Sequence, residues 1–322
     1  MEEKPMQLAV RHHARSGLDF TELGLGTAPL GNLYRALTDA EAEAIMETAW
    51  DGGVRHFDTA PLYGFGLAET RLNRFLRGRP RESYVLATKV GRLLRAVPPG
   101  QGDGAGKWFD VPSRREVYDY SHDGVMRSLE FSLERLGVDR VDILHAHDLD
   151  LRNQGSREAL EARLREFIEG GHRALHDLRA QGTIRAIGLG VNEWEPALWL
   201  AERAELDVIL LAGRWTLLEQ GAARLMTVCA ERGIGVIIGG PYNSGILAGG
   251  AHYDYGPVPA AIAGRARRLR EVCDAEAVPL LHAAFRFPLR HPAVVSVIPG
   301  SQSVAEMAGN LAAARADLPE SL

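Results

Sequence analysis

The chain has 322 residues, 46% hydrophobic and 25% charged, with 35 glycines and a net charge of −5, a composition ordinary for a soluble globular protein of one or two domains. No run approaches the roughly 18 to 20 uninterrupted apolar residues of a membrane span, and the acidic opening MEEKPMQLAV is unlike a signal peptide, so a cytoplasmic protein off the membrane is expected. Mild acidity without a basic stripe argues against nucleic acid. Cys229 and Cys273 lie in amphipathic helical segments and read as small buried hydrophobes. No His/Cys pair has ligand spacing, so no metal is expected, and His12-His13 reads as a solvated turn.

A hairpin is expected near Ala14 to Phe20, turned at Ser16-Gly17. One pattern then repeats: a short apolar run, a loop, an amphipathic helix. Leu23 to Thr27 precedes a helix over Asp39 to Asp51, capped by Thr38 and stopped by Gly52-Gly53. Val54 to Asp58 leads to Leu67–Leu76, and Tyr84 to Lys89 to an irregular segment, Gly91 to Asp119, before a helix from Ser121 to Leu136. Val141 to His147 precedes a long helix, Arg157 to Gln181, with a break at Glu169-Gly170-Gly171. Ile184 to Val191 leads to Trp194 to Ala204, Val208 to Ala212 to Leu218 through Glu231, and Val236 to Ile238 to helices at Ala260 to Glu276 and Leu280 to Leu289. Val294 to Ile298 and Ser303 to Ala314 finish the series.

Such alternation closes most naturally into an α/β (β/α)8 TIM barrel, here with an N-terminal hairpin and long loops at the C-terminal face. A doubly wound sheet would carry a dinucleotide fingerprint after its first strand, but GLGTAPLG at Gly24 to Gly31 lacks the following helix and the spaced acidic residue. No linker separates two cores, so residues 1–322 are read as one domain.

Three strand ends offer Asp58 (in VRHFDTAPLYG), Lys89 (YVLATK) and His147 (VDILHAH), and Pro61 holds Tyr63 on a loop just beyond the carboxylate. Singly, each reads as a rim pair or a hydrogen-bonded structural histidine. In a barrel, catalytic groups come from the C-terminal ends of several strands, and together these four form an acid/base set.

In this order, FDTAPLYG, LATKV and VDILHAHD resemble the Asp, Tyr, Lys, His tetrad of the aldo-keto reductases, and the resemblance covers nearly the whole chain. It implies hydride transfer to or from a nicotinamide, with Tyr63 exchanging the proton, Lys89 and Asp58 tuning it and His147 orienting the substrate oxygen. It also implies a cofactor site: Thr27, Asn192 on the carboxamide, Trp215 stacked on the ring, and Gly240, Pro241, Asn243, Ser244, Gly245 and Leu247 of GGPYNSGIL beside the pyrophosphate. Gly300, Ser301, Glu306 and Asn310 fall at the adenosine end. Many relatives place a lysine and an arginine where this chain has Gly300 and Glu306, so a missing cation and an added carboxylate favour NAD over NADP, which stays the alternative. Val191 and Ala212 replace a serine and a glutamine that commonly help hold the carboxamide. His145 reads as a buried structural histidine, with a substrate contact as the other reading.

Within the family, GVNEW, LLAGRWTLLEQ and IGGPYNSGILA look like the aldose 1-dehydrogenase subgroup, which oxidises a sugar's cyclic hemiacetal at C1 to a lactone, with pyridoxal-oxidising members nearby. The expected partner is thus a sugar or a pyridoxal-like hemiacetal. Candidate wall residues are Asn32, Tyr34, Trp108 and Phe109, with Tyr118 in the same insertion; Arg92 or Arg95 could bind an acidic substrate, but both read as solvated arginines on a mobile loop. The rivals are an NADPH-dependent aldehyde or ketone reductase and a non-catalytic nicotinamide-binding subunit. The latter would carry a damaged tetrad, and this one is complete. A monomer or small homo-oligomer is expected, with Trp194 and Trp199 as surface aromatics.

Overall fold

In the computed structural model, which describes residues 7–104 and 106–321, the eight apolar runs pair in parallel in chain order. The strands are β1 (Leu25–Gly26), β2 (His56–Asp58), β3 (Val85–Val90), β4 (Ile143–His147), β5 (Ala186–Val191), β6 (Val208–Ala212), β7 (Gly235–Gly239) and β8 (Val294–Ile298). β1 meets β8 through parallel bridges Leu23–Val297 and Gly26–Gly300, with Gly24 N–H donating to Val297 O at 2.9 Å. The ring therefore closes, leaving no barrel edge to pair elsewhere. Because helices cover the outside, most strand positions are buried, which is why the runs read as continuous rather than alternating.

The helices match their local signals. Asp39–Asp51 starts at Thr38 in a capping box with Glu41, and Val304–Arg315 starts at Ser303, whose hydroxyl accepts from Glu306 N–H. The break expected near Glu169 is a π-helical turn over Phe167–Gly171 between Arg157–Glu166 and His172–Ala180. There a Cβ on Gly171 would stand 2.4 Å from Tyr120 O. The helix expected from Leu218 begins only at Ala223, because Thr216 turns the chain by accepting from the N–H groups of Leu218 and Glu219.

Three expectations need correction. The N-terminal hairpin is larger than Ala14 to Phe20, pairing Val10–His13 with Leu18–Thr21. His13 is thus strand, not solvated turn. It is buried, and its ring nitrogens meet Ser16 Oγ at 2.8 Å and Gly233 O at 3.0 Å. Leu18 and Phe20 from this hairpin join Val85, Ile143, Val208 and Ile237 in filling the barrel interior. The segment Gly91 to Asp119 is not irregular throughout either: Arg92–Ala96 pairs antiparallel with Arg114–Tyr118, a hairpin over the C-terminal mouth. The first six residues, on which the reading against a signal peptide rests, lie outside the described residues. Among those described, no helix is long and apolar enough to cross a membrane and no group of acidic, His or Cys side chains has metal-site geometry. Cys229 and Cys273 are both buried.

Candidate active site

β2, β3 and β4 end at the same rim and deliver Asp58, Lys89 and His147 to it. Lys89 is 1% exposed; its Nζ donates to Asp58 Oδ1 at 2.5 Å and to Thr59 O at 2.8 Å. A buried ammonium needs such partners to stay charged. Tyr63 follows on a tight loop whose position is set by backbone contact: a Cβ on Gly31 would lie 2.5 Å from both Gly64 N and Tyr63 C, and Gly64 itself has φ +63°. Only glycines at 31 and 64 let the two loops touch. The Tyr63 ring lies 4.8 Å from Lys89 Nζ, edge-on to His147 at 6.0 Å, and stacked with Trp108 at 6.3 Å.

Tyr63, Lys89 and His147 meet in one cavity of about 420 Å³, lined also by Arg92, Glu116, Asp148, Asn192 and Tyr255, a volume suited to a small ligand, while Asp58 stands behind Lys89. Its electrostatics are those of a dry site. Burial pushes the Tyr63 phenol well above 10, and Asp58 and Asp148 push it further, so in this state it is firmly protonated. Burial, then Lys89 and Arg92, drive His147 well below the usual imidazole range, so the ring is neutral. Burial likewise raises Asp58, with Lys89 acting against the rise.

Asp148, directly after His147, was not singled out by sequence. It takes φ +56°, and its carboxylate gathers three neighbours. Arg92 Nη1 donates to Oδ2, His147 Nε2 stands 3.4 Å from the same oxygen, and Asn192 Nδ2 donates to Oδ1 at 3.1 Å. Burial lifts it to about 6, against the pull of Arg92. Arg92 corrects the reading of a solvated loop arginine. It is 7% exposed, donates to Glu116 through Nε (2.8 Å) and Nη2 (2.9 Å), and stands over the Tyr118 ring at 5.3 Å. Burial alone would lower it, but Asp148 and Glu116 more than reverse that. Arg95 is exposed.

The remaining wall residues divide. Trp108 lines the cavity. Asn32 is instead a buried clamp, donating to Phe109 O at 2.8 Å and accepting from Leu37 N–H and Arg71 Nη1. Phe109 is exposed, and Tyr34 stacks on His252 at 5.8 Å. His145 is fully buried beneath the site, its Nε2 3.9 Å from Asp58 Oδ2, away from the cavity and in keeping with a structural histidine.

Residues expected around a nicotinamide dinucleotide fit it in part. Asn192 Nδ2 is held by Asp148 and, at 3.4 Å, by Asp150 Oδ2, which orients the amide so that Oδ1 can accept from a carboxamide. Tyr255, another residue the sequence reading missed, reaches that oxygen at 3.4 Å. Thr27 Oγ1 is buried without a protein partner. Gly240, Ser244 and Gly245 all adopt positive φ, bending GGPYNSG into a concave turn in which Pro241 and Leu247 are buried. Asn243 is structural, accepting from Thr216 and donating to Gly213 O. Trp215 packs its ring against Phe287 (5.9 Å) and His291 (5.6 Å). Ser301 and Asn310 form a buried chain with Tyr242. Gly300 borders Pro29, whose Cγ would lie 2.6 Å from an added Cβ. The Glu306 carboxylate accepts from Gln302 N–H at 2.7 Å.

Comparison with known proteins agrees with this geometry. The family model described as "Aldo/keto reductase family" matches residues 22–321. A pyridoxal 4-dehydrogenase of Microbacterium luteolum is 43% identical, over 95% of this chain and 93% of its own. A D-threo-aldose 1-dehydrogenase of a Pseudomonas species is 40% identical, over 96% and 94%. Among solved structures, an aldo-keto reductase of Bacillus halodurans in its holo form superposes with a TM-score of 0.75 at 23% identity, covering 98% of this chain and 93% of that one, and so shares the barrel.

Proposed function

Because the chain belongs to the aldo/keto reductase family, an oxidoreductase family that uses nicotinamide cofactors, we propose that it oxidises a cyclic hemiacetal to a lactone, with NAD as acceptor and an aldose of the L-fucose or D-threo type as substrate. The observation that carries the reading is the convergence of Tyr63, His147 and Lys89 on one cavity, with Asp58 paired to Lys89 behind it, in a chain similar over nearly its full length to two enzymes named for hemiacetal-forming substrates.

A bound nicotinamide would supply the hydride acceptor, and Asn192, Thr27 and the Gly240–Gly245 turn are the groups to hold it. The protein's part is to orient the anomeric hydroxyl and take its proton. Neutral His147, 6.0 Å from the Tyr63 ring, orients the substrate oxygen. Tyr63 accepts the proton, with Lys89 4.8 Å from its ring stabilising the phenolate. Because the unligated phenol sits well above 10, oxidation favours alkaline pH, and the reverse reduction favours the protonated enzyme.

NAD is preferred because the resemblance places Glu306, a carboxylate that accepts from the Gln302 N–H, where a cation would be needed to hold a 2′-phosphate. Arg35, which donates to Gln302 O, keeps NADP in the assay. Pyridoxal is the second reading, favoured by the similarity to a pyridoxal 4-dehydrogenase and by the Trp108 ring on the cavity wall. The test is to supply NAD or NADP with L-fucose, D-arabinose, D-glucose or pyridoxal and follow reduced-nicotinamide absorbance, with Tyr63→Phe as control. Oxidation of a sugar with NAD, lost in the variant, supports the proposal. NADPH consumption by simple aldehydes without any oxidation would replace it with a reductase.

A further inference from the structure

Among the charged side chains lining the cavity that proton and hydride transfer leave unused, three form one paired cluster. Arg92 comes from the first strand of the mouth hairpin and Glu116 from the second, where Glu116 pairs with Leu94 and Arg92 with Tyr118. Asp148 comes from the end of β4. Every nitrogen of the Arg92 guanidinium faces a carboxylate, Nε and Nη2 at Glu116 and Nη1 at Asp148. Their side chains are 8%, 22% and 8% exposed, and all three line the cavity beside Tyr63 and His147.

We propose that Arg92, Glu116 and Asp148 form a subsite that binds the hydroxyl groups of neutral, polyhydroxylated hemiacetals; the proposal rests on the hemiacetal reading of the site. One guanidinium against two carboxylates leaves the cluster itself with one excess negative charge. A sugar hydroxyl finds carboxylate oxygens with lone pairs to spare, each able to accept a charge-assisted hydrogen bond. The cluster is also rigid: the ladder fixes the hairpin, Tyr118 lies under the guanidinium, and Asn192 holds the far oxygen of Asp148.

The experiment measures initial rates with NAD for wild type and Glu116→Gln on L-fucose, pyridoxal, 2-hydroxytetrahydropyran and D-galacturonate. 2-Hydroxytetrahydropyran keeps the anomeric hydroxyl and ring oxygen of a sugar but no other hydroxyl. Wild type should prefer L-fucose over it in kcat/KM. In Glu116→Gln that preference should fall about 10- to 100-fold, mainly through KM, as expected for one hydrogen bond to a charged group. Galacturonate should gain relative to L-fucose, because Arg92 is then half unpaired. General damage to the fold would lower all rates in parallel and leave the ratios unmoved, which would overturn the subsite. If Glu116→Gln does not fold, Asp148→Asn is read on the same ratios. Wild type that oxidises pyridoxal but no sugar would overturn the subsite and spare the hemiacetal reading. Wild type that oxidises none of the four would overturn both.

Discussion

Replacing Asp58 with asparagine removes the charge that keeps Lys89 buried as a cation. Lys89 is 1% exposed, and its ammonium has two protein acceptors, Asp58 Oδ1 at 2.5 Å and Thr59 O at 2.8 Å. In Asp58→Asn it must stay charged beside neutral groups or give up its proton. Breaking a buried pair from one side costs about 3–5 kcal/mol. Neutralising a lysine with an ordinary pKa of about 10.4 at pH 7 costs at most about 4.6 kcal/mol, at 1.36 kcal/mol per unit. The two routes agree on roughly 3–5 kcal/mol, or about 6–20 °C in Tm at ~2–4 °C per kcal/mol. Because the variant's lysine would have a folded pKa below its unfolded one, the loss should be full near pH 7 and shrink as pH rises toward 10. Calorimetric melts of wild type, Asp58→Asn and the double variant Asp58→Asn/Lys89→Met at pH 7 and 9.5 test this. The double variant, with no buried charge left, should recover most of the loss while remaining inactive. A single variant melting within about 2 °C of wild type, or a double variant no better than the single, would refute the reasoning.

The raised Tyr63 phenol predicts that kcat/KM for oxidation climbs about tenfold per pH unit at and above neutrality while reduction, which uses the protonated phenol, stays level. A flat oxidation profile between pH 7 and 9 would remove Tyr63 as proton acceptor. Glu306→Arg should shift the NADP-to-NAD ratio of kcat/KM toward NADP by about 10- to 100-fold, whereas Gly300→Lys should first destabilise, since its Cβ meets Pro29 Cγ at 2.6 Å; if the lysine variant melts like wild type, that steric account is wrong. Gly188→Ala places a Cβ 2.3 Å from His145 Nδ1 and should cost about 1–3 kcal/mol by overpacking, checked by thermal melts. An unchanged melting temperature would mean that the His145 ring can move away from Asp58 freely.

The barrel was legible because buried parallel strands leave short apolar runs and the helices carry their own caps, as at Thr38 and Ser303. The tetrad was legible because Pro61 and the strand ends fix where Asp58, Tyr63, Lys89 and His147 must sit. The mouth hairpin was hidden because its strands, RLLRA and RREVY, carry charges that pair within the protein, so its pattern resembles a solvated loop. The same pairing concealed Arg92 and Glu116. Asp148 looked like an ordinary residue after a strand; its role depends on Arg92 and Asn192 arriving from distant segments, at separations of 56 and 44 residues. Asn32 misled in the opposite sense, since its position near the mouth suggested a substrate contact while its amide is spent on Phe109, Leu37 and Arg71. The N-terminal histidines misled because His13 is buried through a contact with Gly233, across the barrel floor.

The central claim is that Tyr63 takes the anomeric proton of a cyclic hemiacetal so that a lactone forms. The most direct measurement is NMR of L-fucose labelled with carbon-13 at C1, incubated with NAD and either wild type or Tyr63→Phe. The account predicts a lactone carbonyl signal appearing in step with reduced nicotinamide, and neither in the variant. Undiminished lactone formation by Tyr63→Phe, or NAD reduction that yields the open-chain acid with no lactone before it, would contradict it.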